Sequence, residues 1–599
     1  MKHQDIYSYV QSEMANFQVA KVPVVEKWDW NMYEHIRNTV IYKYGQFTTG
    51  KNDNKPNKNI ILPLLRLRYR TEGFDLKDIE LYVDDDDNNR WKSFILRKFH
   101  EFWARKHKLD TFIDKQIETD IDFGGVLLKE IPGEIKPEIV DWQRIAFCDM
   151  TDILSGVICE KHQYSIHELL EMKKNGWENV DDLIQLSEYS KITDEKANRN
   201  VRTPSKYIEV YELNGMMPSY WLGEEYEEYE EEFVRQIQVV SFYQSKEGQK
   251  KGITLFKSEN KKNPYKFRTD PIHNRALGYG GVEELIEPQV WVNYGIIREK
   301  GLLDQASKLI YQTADGALTT RNKISNMENG DIIVHDGNPV VPINTTAPNL
   351  VLFERSIQDW EVHARQMSAA TESLMGEQPS SGTPFKLQEL ITQTSMGLHN
   401  YRMGRNAEFT EEAYRDWIIP KMVQELLKGH KWIGELDKEE LIEVGRQIVD
   451  NKANELAKEK ILSGELVFPE DVQRFKQDAL RAFFKKGNKQ IFKVIKDEFK
   501  ESEIQVKINI KGKQKDLAVM TDKIVRIFQT IMANPQGFIQ MMQNPAMRKS
   551  FNDILEYSGL SPMDFKDLSD NMMMAPQPGA MPAGMEEMSK GQQMMQTTA

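Results

Sequence analysis

Apolar positions along the chain recur first at a mixed period, then at two, then at three and four, and the changes divide it into regions. Residues 1 to about 58 mix aromatic clusters such as Trp28 and Trp30 with a lysine-rich polar stretch from Lys51 to Lys58. Phe94, Ile95, Phe99, Phe102 and Trp103 sit near helical spacing with Lys and Arg between them, which predicts a helix from Trp91 to about Ile121. Gly124 and Gly125 break it, and Val126 to Leu128 begin a short strand. Strands are expected over Ile139 to Phe147, Gly156 to His162, Tyr207 to Leu213 and Phe233 to Tyr243, interrupted by a helix over Ser165 to Asn175. Residues 1–280 therefore read as an α+β unit.

The middle of the chain is organised by longer helices. Leu285, Val292, Ile296 and Leu303 are spaced for a helix over 281–308, in which Pro288 is tolerable only near the first turn. A β-containing insert over 309–352 follows. Phe353, Ile357, Trp360, Ala364, Met367, Thr371 and Leu374 then alternate by four and three, predicting one continuous seam on a helix over 353–375. Gly376, Glu377, Gln378, Pro379, Ser380, Ser381, Gly382, Thr383, Pro384 and Lys386 belong to a breaker-rich loop over 376–386. A third helix is expected after it, with Leu387, Ile391, Thr394, Leu398 and Tyr401 on one face, running to about Trp417 and bending near Pro420. Charged helices fill 436–500, and Ile504, Val506, Ile508 and Ile510 alternate as a half-buried strand, so 387–515 reads as one region. Short helices are expected over 516–568, and a Met-, Pro- and Gln-rich tail over 569–599 lacks the branched aliphatics to build a core.

Composition narrows the function. The 599 residues are 40% hydrophobic and 29% charged, as in soluble proteins with real cores, and the net charge of −13 disfavours tight DNA wrapping by phosphate neutralisation. Cys148 and Cys159 are the two cysteines, too few for a disulfide framework or a cysteine-rich zinc site. The N-terminus lacks the apolar core of a signal peptide, and no apolar run reaches the length of a membrane span. Catalytic motifs fail one by one. His167 begins His-Glu-Leu-Leu-Glu and lacks the second zinc-ligand histidine; Asp84 to Asp87 open no calcium loop, since Asn89 and Ile95 stand where Gly and Glu are required. Gly278 to Gly281 lack the Lys-Ser/Thr of a phosphate loop and read as a flexible joint before the long helix; the acidic run Glu224 to Glu232 reads as a solvated hairpin tip. No enzyme activity, metal or cofactor is expected.

The order helix, β insert, seamed helix, Gly/Ser/Pro loop, long helix resembles the portal proteins of tailed bacteriophages. Local segments carry the same resemblance: Asp122 to Leu128, Val140 to Trp142 with Thr151-Asp152, Ala276 to Val282, Ala370 to Gly376 followed by Ser381 to Pro384, and Gln505 to Lys513 with Asn534 to Gly537. The resemblance implies a portal-type α+β subunit: a wing (1–280), a first stem helix (281–308), a clip (309–352), a second stem helix (353–375), a tunnel loop (376–386), a long helix with the returning wing (387–515), a helical crown (516–568) and a disordered tail (569–599). It further implies a homo-oligomeric ring, dodecameric in the virion, at the capsid vertex. Made in the host bacterial cytoplasm, the ring would pass double-stranded DNA without reading its sequence. It would dock the terminase large subunit and later the neck adaptor, and contact the major capsid and scaffolding proteins but no membrane. Arg321 and Lys323 are candidate clip contacts. Other classes stay open on the residues alone: a minor capsid or tail-adaptor protein, a plain coiled-coil dimer, or a nuclease with a divergent carboxylate site.

Overall fold

The computed structural model describes residues 5–45, 58–83, 90–189, 207–223, 233–244, 250–306, 310–312, 341–343, 350–370, 372–375, 396–428, 438–464, 466–486, 504–508 and 529. The chain divides into two compact units, the first within 1–80, 101–425 and 506–513, the second within 81–100, 426–505 and 514–599. It is a mixed α+β protein.

In the first unit, α1 (Ile6–Val19), α2 (Met32–Tyr44), α3 (Ile61–Glu72) and α5 (Leu109–Phe123) surround two antiparallel sheets, to which the short strands β1 (Val22–Val25), β2 (Trp28–Trp30) and β3 (Ile79–Val83) do not belong. The larger sheet has the order β10-β9-β8-β7-β6, with β6 Ile145–Phe147, β7 Ile158–Ser165, β8 Tyr207–Pro218, β9 Phe233–Gln244 and β10 Lys250–Glu259. The smaller has β11 (Tyr265–Thr269) and β5 (Glu138–Ile139) flanking β4 (Gly125–Lys129). Alternation decides their faces: Cys159, Tyr211, Leu213 and Val240 turn into one core with Val10, Phe17, Met32 and Trp142, while Ile208, Val210 and Val239 turn the other way. That second face is covered by α6 (Ile166–Lys174), entered through the Ser165–Glu168 capping box, and α7 (Val180–Tyr189). Cys148 and Cys159 are both buried and free.

The helix expected as one piece from Trp91 to Ile121 is two, α4 (Arg90–Lys106) and α5. Lys108 takes the left-handed conformation at φ 53°, so the apolar spacing continues while the backbone turns. The lysine-rich stretch before Ile60 leads into α3, where Pro63 lies in the first turn and removes no helical hydrogen bond.

α8 (Gly281–Ala306) starts where the spacing placed it, yet Pro288 stands two turns in, beyond the first turn. The insert after α8 contains an antiparallel pair, β12 (Ile310–Gln312) with β13 (Val341–Ile343), and α9 (Leu350–Met367) returns from it. The predicted helix 353–375 is not continuous. α9 closes in a Schellman arrangement, with Ala370 N–H donating to Arg365 O at 2.9 Å and Ala369 N–H to Gln366 O at 3.1 Å; the one-turn α10 (Glu372–Met375) follows. Ala369 occupies the left-handed cap position at φ 53°, where glycine is usual, which is why the sequence carries no stop signal there.

The third long helix is described from Gly397: α11 (Gly397–Ala413), a π-helical stretch Tyr414–Ile418, then α12 (Ile419–Lys428). The irregularity precedes Pro420, whose missing N–H frees a carbonyl one turn back. The predicted apolar face is reversed: Leu398 and Tyr401 are exposed, while His399, Met403, Asn406, Ala407 and Thr410 are buried. Leu387, Ile391 and Thr394 lie outside the described residues. In the second unit, α13 (Lys438–Leu462) packs on α14 (Pro469–Lys486), as the charged helical pattern suggested.

Candidate functional site: a helical hairpin on a buried ionic base

The hairpin of α8 and α9 is the element the sequence singled out, and its own contacts set its direction. Trp291 stacks on Trp360 with ring centroids 5.9 Å apart and planes 9° from parallel, and Gly295 lies against Ile357. Numbers rise on one helix as they fall on the other, so the pair is antiparallel. At Gly295 an added Cβ would stand 2.7 Å from Ile357 Cγ1, so glycine there sets how closely the axes approach. Of the predicted seam, Ile357 and Ala364 are buried, and Phe353, Trp360, Met367 and Leu374 are half-buried. Thr371 lies outside the described residues, and Leu374 belongs to the separate α10.

Several large apolar side chains of the hairpin are exposed among the described residues. Val290, Trp291, Tyr294 and Leu303 of α8 and Val351, Leu352 and Val362 of α9 are 44% to 70% exposed. Scattered single apolar residues on a surface need no explanation, and others are exposed elsewhere, as at Leu462 and Leu466.

The base of α8 is held by polar groups that periodicity did not reveal. Gln289, fully buried, donates Nε2–H to Lys58 O at 2.6 Å and accepts from Ile60 N–H at 2.8 Å, while Asn293 Oδ1 accepts from Lys58 N–H at 2.9 Å. Two amides one turn apart thus satisfy a passing extended backbone, as a neighbouring strand would. Beside them, Glu72 of α3 accepts from Arg68 Nε (3.0 Å), His399 Nδ1 (2.9 Å) and Arg402 (3.4 Å). Glu284 of α8 accepts from Arg68 (3.1 Å) and Arg402 (3.2 Å). The other ring nitrogen of His399 faces Ala369 O at 3.2 Å, so the strained cap of α9 is tied to the same cluster.

These two carboxylates respond differently to the same surroundings. Burial raises the pKa of Glu72, but the guanidinium of Arg68, the His399 hydrogen bond and Arg402 outweigh it and bring it down to about 2. For Glu284 burial dominates over Arg68 and Arg402, and its pKa is raised. Glu72 is the better-satisfied of the two by distance and by donor count, and it is the anchor of the cluster.

Gly278 to Gly281 form no flexible joint. Gly278 N–H donates to Gly124 O at 2.9 Å, and a Cβ on Gly280 would stand 2.4 Å from Asp122 O. The glycines permit backbone-to-backbone contact between the end of α5 and the start of α8. Arg275 clasps the junction through Glu283 Oε2 at 2.6 Å and the carbonyls of Leu277 and Gly278 at 2.8 Å. His35 lies on its other side with Nε2 3.2 Å from Phe123 O; desolvation lowers its pKa despite the nearby Glu283.

The rest of α11 continues the polar base. Gln116 of α5 donates to Thr410 Oγ1 at 2.8 Å, and Asp120 pairs with Arg268 while facing Asn406. A polar stripe at helical spacing is invisible to a search for apolar stripes. The one available signal was the adjacent pair Glu283-Glu284 in the first turn of a predicted helix.

Arg321 and Lys323 and every residue of the predicted tunnel loop (Gly376 to Pro384 and Lys386) lie outside the described residues, as do Asp84 to Asp87, Glu224 to Glu232, the tail, and the crown apart from residue 529. His167 is exposed at a helix start, 3.5 Å from Glu171 of its own helix. Among the described residues no His, Cys, Asp and Glu cluster could hold a metal, and no helix is long and apolar enough to cross a membrane. No protein-family model matches the chain, and no curated protein matches it in sequence.

Proposed function

We propose that this chain is a portal-type ring subunit: copies packed side by side through the α8–α9 hairpin enclose a channel for double-stranded DNA at a capsid vertex, with a separate ATPase motor and later a neck adaptor docking at the strand-bearing end. The observation that carries the reading is the hairpin itself. It combines an anchored base, an apolar outer side that one subunit leaves open, and an inserted strand pair between the helices, which a plain coiled-coil dimer does not need. Two strands are marginal alone, so pairing with strands of neighbouring copies would stabilise the insert. Identical subunits joined by heterologous contacts close into a ring when the rotation per step permits. The net charge of −13 suits a channel that DNA passes without adhering. Arg321 and Lys323 remain the proposed motor contacts, and residues 376–386 the proposed DNA-facing loop.

The test is a charge on the exposed side. Val362→Asp is expected to leave the monomer folded, because Val362 is 48% exposed on α9, and to abolish assembly in multi-angle light scattering. Normal rings from the mutant would remove the hairpin from the interface.

A further inference from the structure

Among the described residues, the five-stranded sheet is left partly uncovered. On one face, α6 and α7 cover Ile208, Val210 and Val239, and further along Lys129 of β4 and Tyr265 of β11 cover Glu160 and Asn214. Between them lies a groove of about 1220 Å³, lined by His162, Tyr164, Met172, Trp177, Glu212 and Ile237 among others. Compact small-molecule sites occupy about 300–1,000 Å³, so this groove is larger than such a ligand needs.

Its wall is a sheet edge. β7 is paired with β8 from Ile158 to Ser165, but β6 reaches only Cys159 and Glu160. Among the described residues no strand pairs with residues 161–165 on that side, and residues 161–164 line the groove. An open edge beside a groove is the arrangement in which an extended peptide adds as a further strand, with backbone pairing for affinity and alternate side chains for selection.

The floor selects charge. Lys129 Nζ contacts Glu160 Oε1 at 2.7 Å and Glu212 Oε1 at 2.8 Å, so two buried carboxylates share one ammonium. Tyr265 OH donates to Glu160 at 2.6 Å and Asn214 Nδ2 to Glu212 at 2.7 Å, both on the oxygens that Lys129 already holds. The second oxygens face His162 Nε2 at 3.8 and 3.5 Å. Asn214 Oδ1 has no hydrogen-bond partner among the described residues, and Asn214 is 3% exposed. Burial raises the pKa of Glu212, but His162 and Lys129 outweigh it, so it stays ionised. Beside this acidic floor, Tyr164 and Trp177 stand edge to face, 5.6 Å apart. Of the basic residues on the rim, Lys161 and Arg144 are already matched by Glu209 and Glu138. Lys261 and Lys262 would oppose a uniformly basic strand, so a single cation on a neutral segment is the fit.

We propose that this groove binds an extended peptide segment of a partner protein, paired with the free edge of β7, placing a Lys or Arg side chain over Glu212 and His162 and an apolar side chain two positions away against Tyr164 and Trp177. His162 and Tyr164 are themselves two apart on one face, which matches the repeat of an added strand. The cation gains the carboxylate of Glu212, and the apolar side chain gains the Tyr164 and Trp177 rings. The inference rests on the sheet alone and is independent of the ring reading.

A randomised hexapeptide library panned against the full chain tests it. The expected result is enrichment of an apolar residue two positions from Lys or Arg. A synthetic winner should lose at least tenfold in affinity on Lys→Glu exchange, on N-methylation of alternate backbone amides, and against the Glu212→Gln protein. The changes made in the peptide leave the protein's folding untouched. No enrichment, enrichment of acidic peptides, or affinity indifferent to N-methylation would overturn the proposal.

Discussion

From Gly281 to Gln289, α8 is enclosed by α2, α3 and α5 and fixed by a buried amide, two glutamates and three arginines; from Val290 onward it has α9 and, among the described residues, exposed apolar side chains. One helix thus joins a base whose polar groups are nearly all matched within the subunit to an outer part whose apolar groups are not. Buried ion pairs are poor sources of net stability, but breaking one is costly, because the remaining charge is stranded. Exposed apolar area has the reverse character: removing it costs the monomer little and costs an assembly a great deal. The base specifies where the helix starts and how it is oriented, and the outer part is the surface proposed to meet a neighbouring copy.

The largest expected effect of a single change is at the base. Glu72→Ala leaves Arg68, Arg402 and His399 around a single carboxylate and should destabilise the first unit by about 3–5 kcal/mol, read by urea denaturation. Glu72→Gln keeps part of the hydrogen bonding and should cost less. A loss under about 1 kcal/mol for the Ala variant would mean that solvent, not Arg68 and His399, satisfies that carboxylate.

Acid should loosen the same base at His35 and Glu72, against the opposing trend of Glu284, whose raised pKa favours the folded state as protons bind, while sparing the apolar pairing of the outer hairpin. His35 has its pKa lowered on folding, so the unfolded chain binds more protons below the ordinary value of 6.5, and stability falls as pH drops through that value. Glu72 has its pKa lowered from 4.5 to about 2, so its contribution is full above 4.5 and is lost as pH falls from there towards 2. Hydrogen exchange of α3 and α11 amides, corrected for intrinsic rates, should show protection declining in that order. Protection that rises on acidification would reverse the sign assigned to both groups.

How much of this could be read from the chain depends on what each element buries. β7, β8 and β9 were legible because their residues alternate between an apolar core and a more polar face. The start of α8 was legible because Leu285 and Val292 keep helical spacing. The buried face of α11 was not, since it pairs His399, Asn406 and Thr410 with partners far away in sequence, and the eye is drawn instead to exposed Leu398 and Tyr401. The glycines at 278, 280 and 281 looked like freedom and are contact: the absence of a side chain reads the same in either case. The break after α9 was hidden because alanine holds a position that glycine normally marks.

That last point gives the smallest expected effect. Ala369→Gly should stabilise the protein, since the left-handed conformation costs an L-residue roughly 1–2 kcal/mol and glycine's extra freedom in the unfolded chain offsets part of that. A net gain of about 1 kcal/mol by urea denaturation is expected; a loss would mean that the Ala369 methyl group makes packing contacts worth more than the strain.

Electron microscopy of the purified chain should show closed rings with a central opening, in which the α8–α9 hairpins of neighbouring copies lie side by side; compact monomers or twofold dimers at every concentration would overturn the ring.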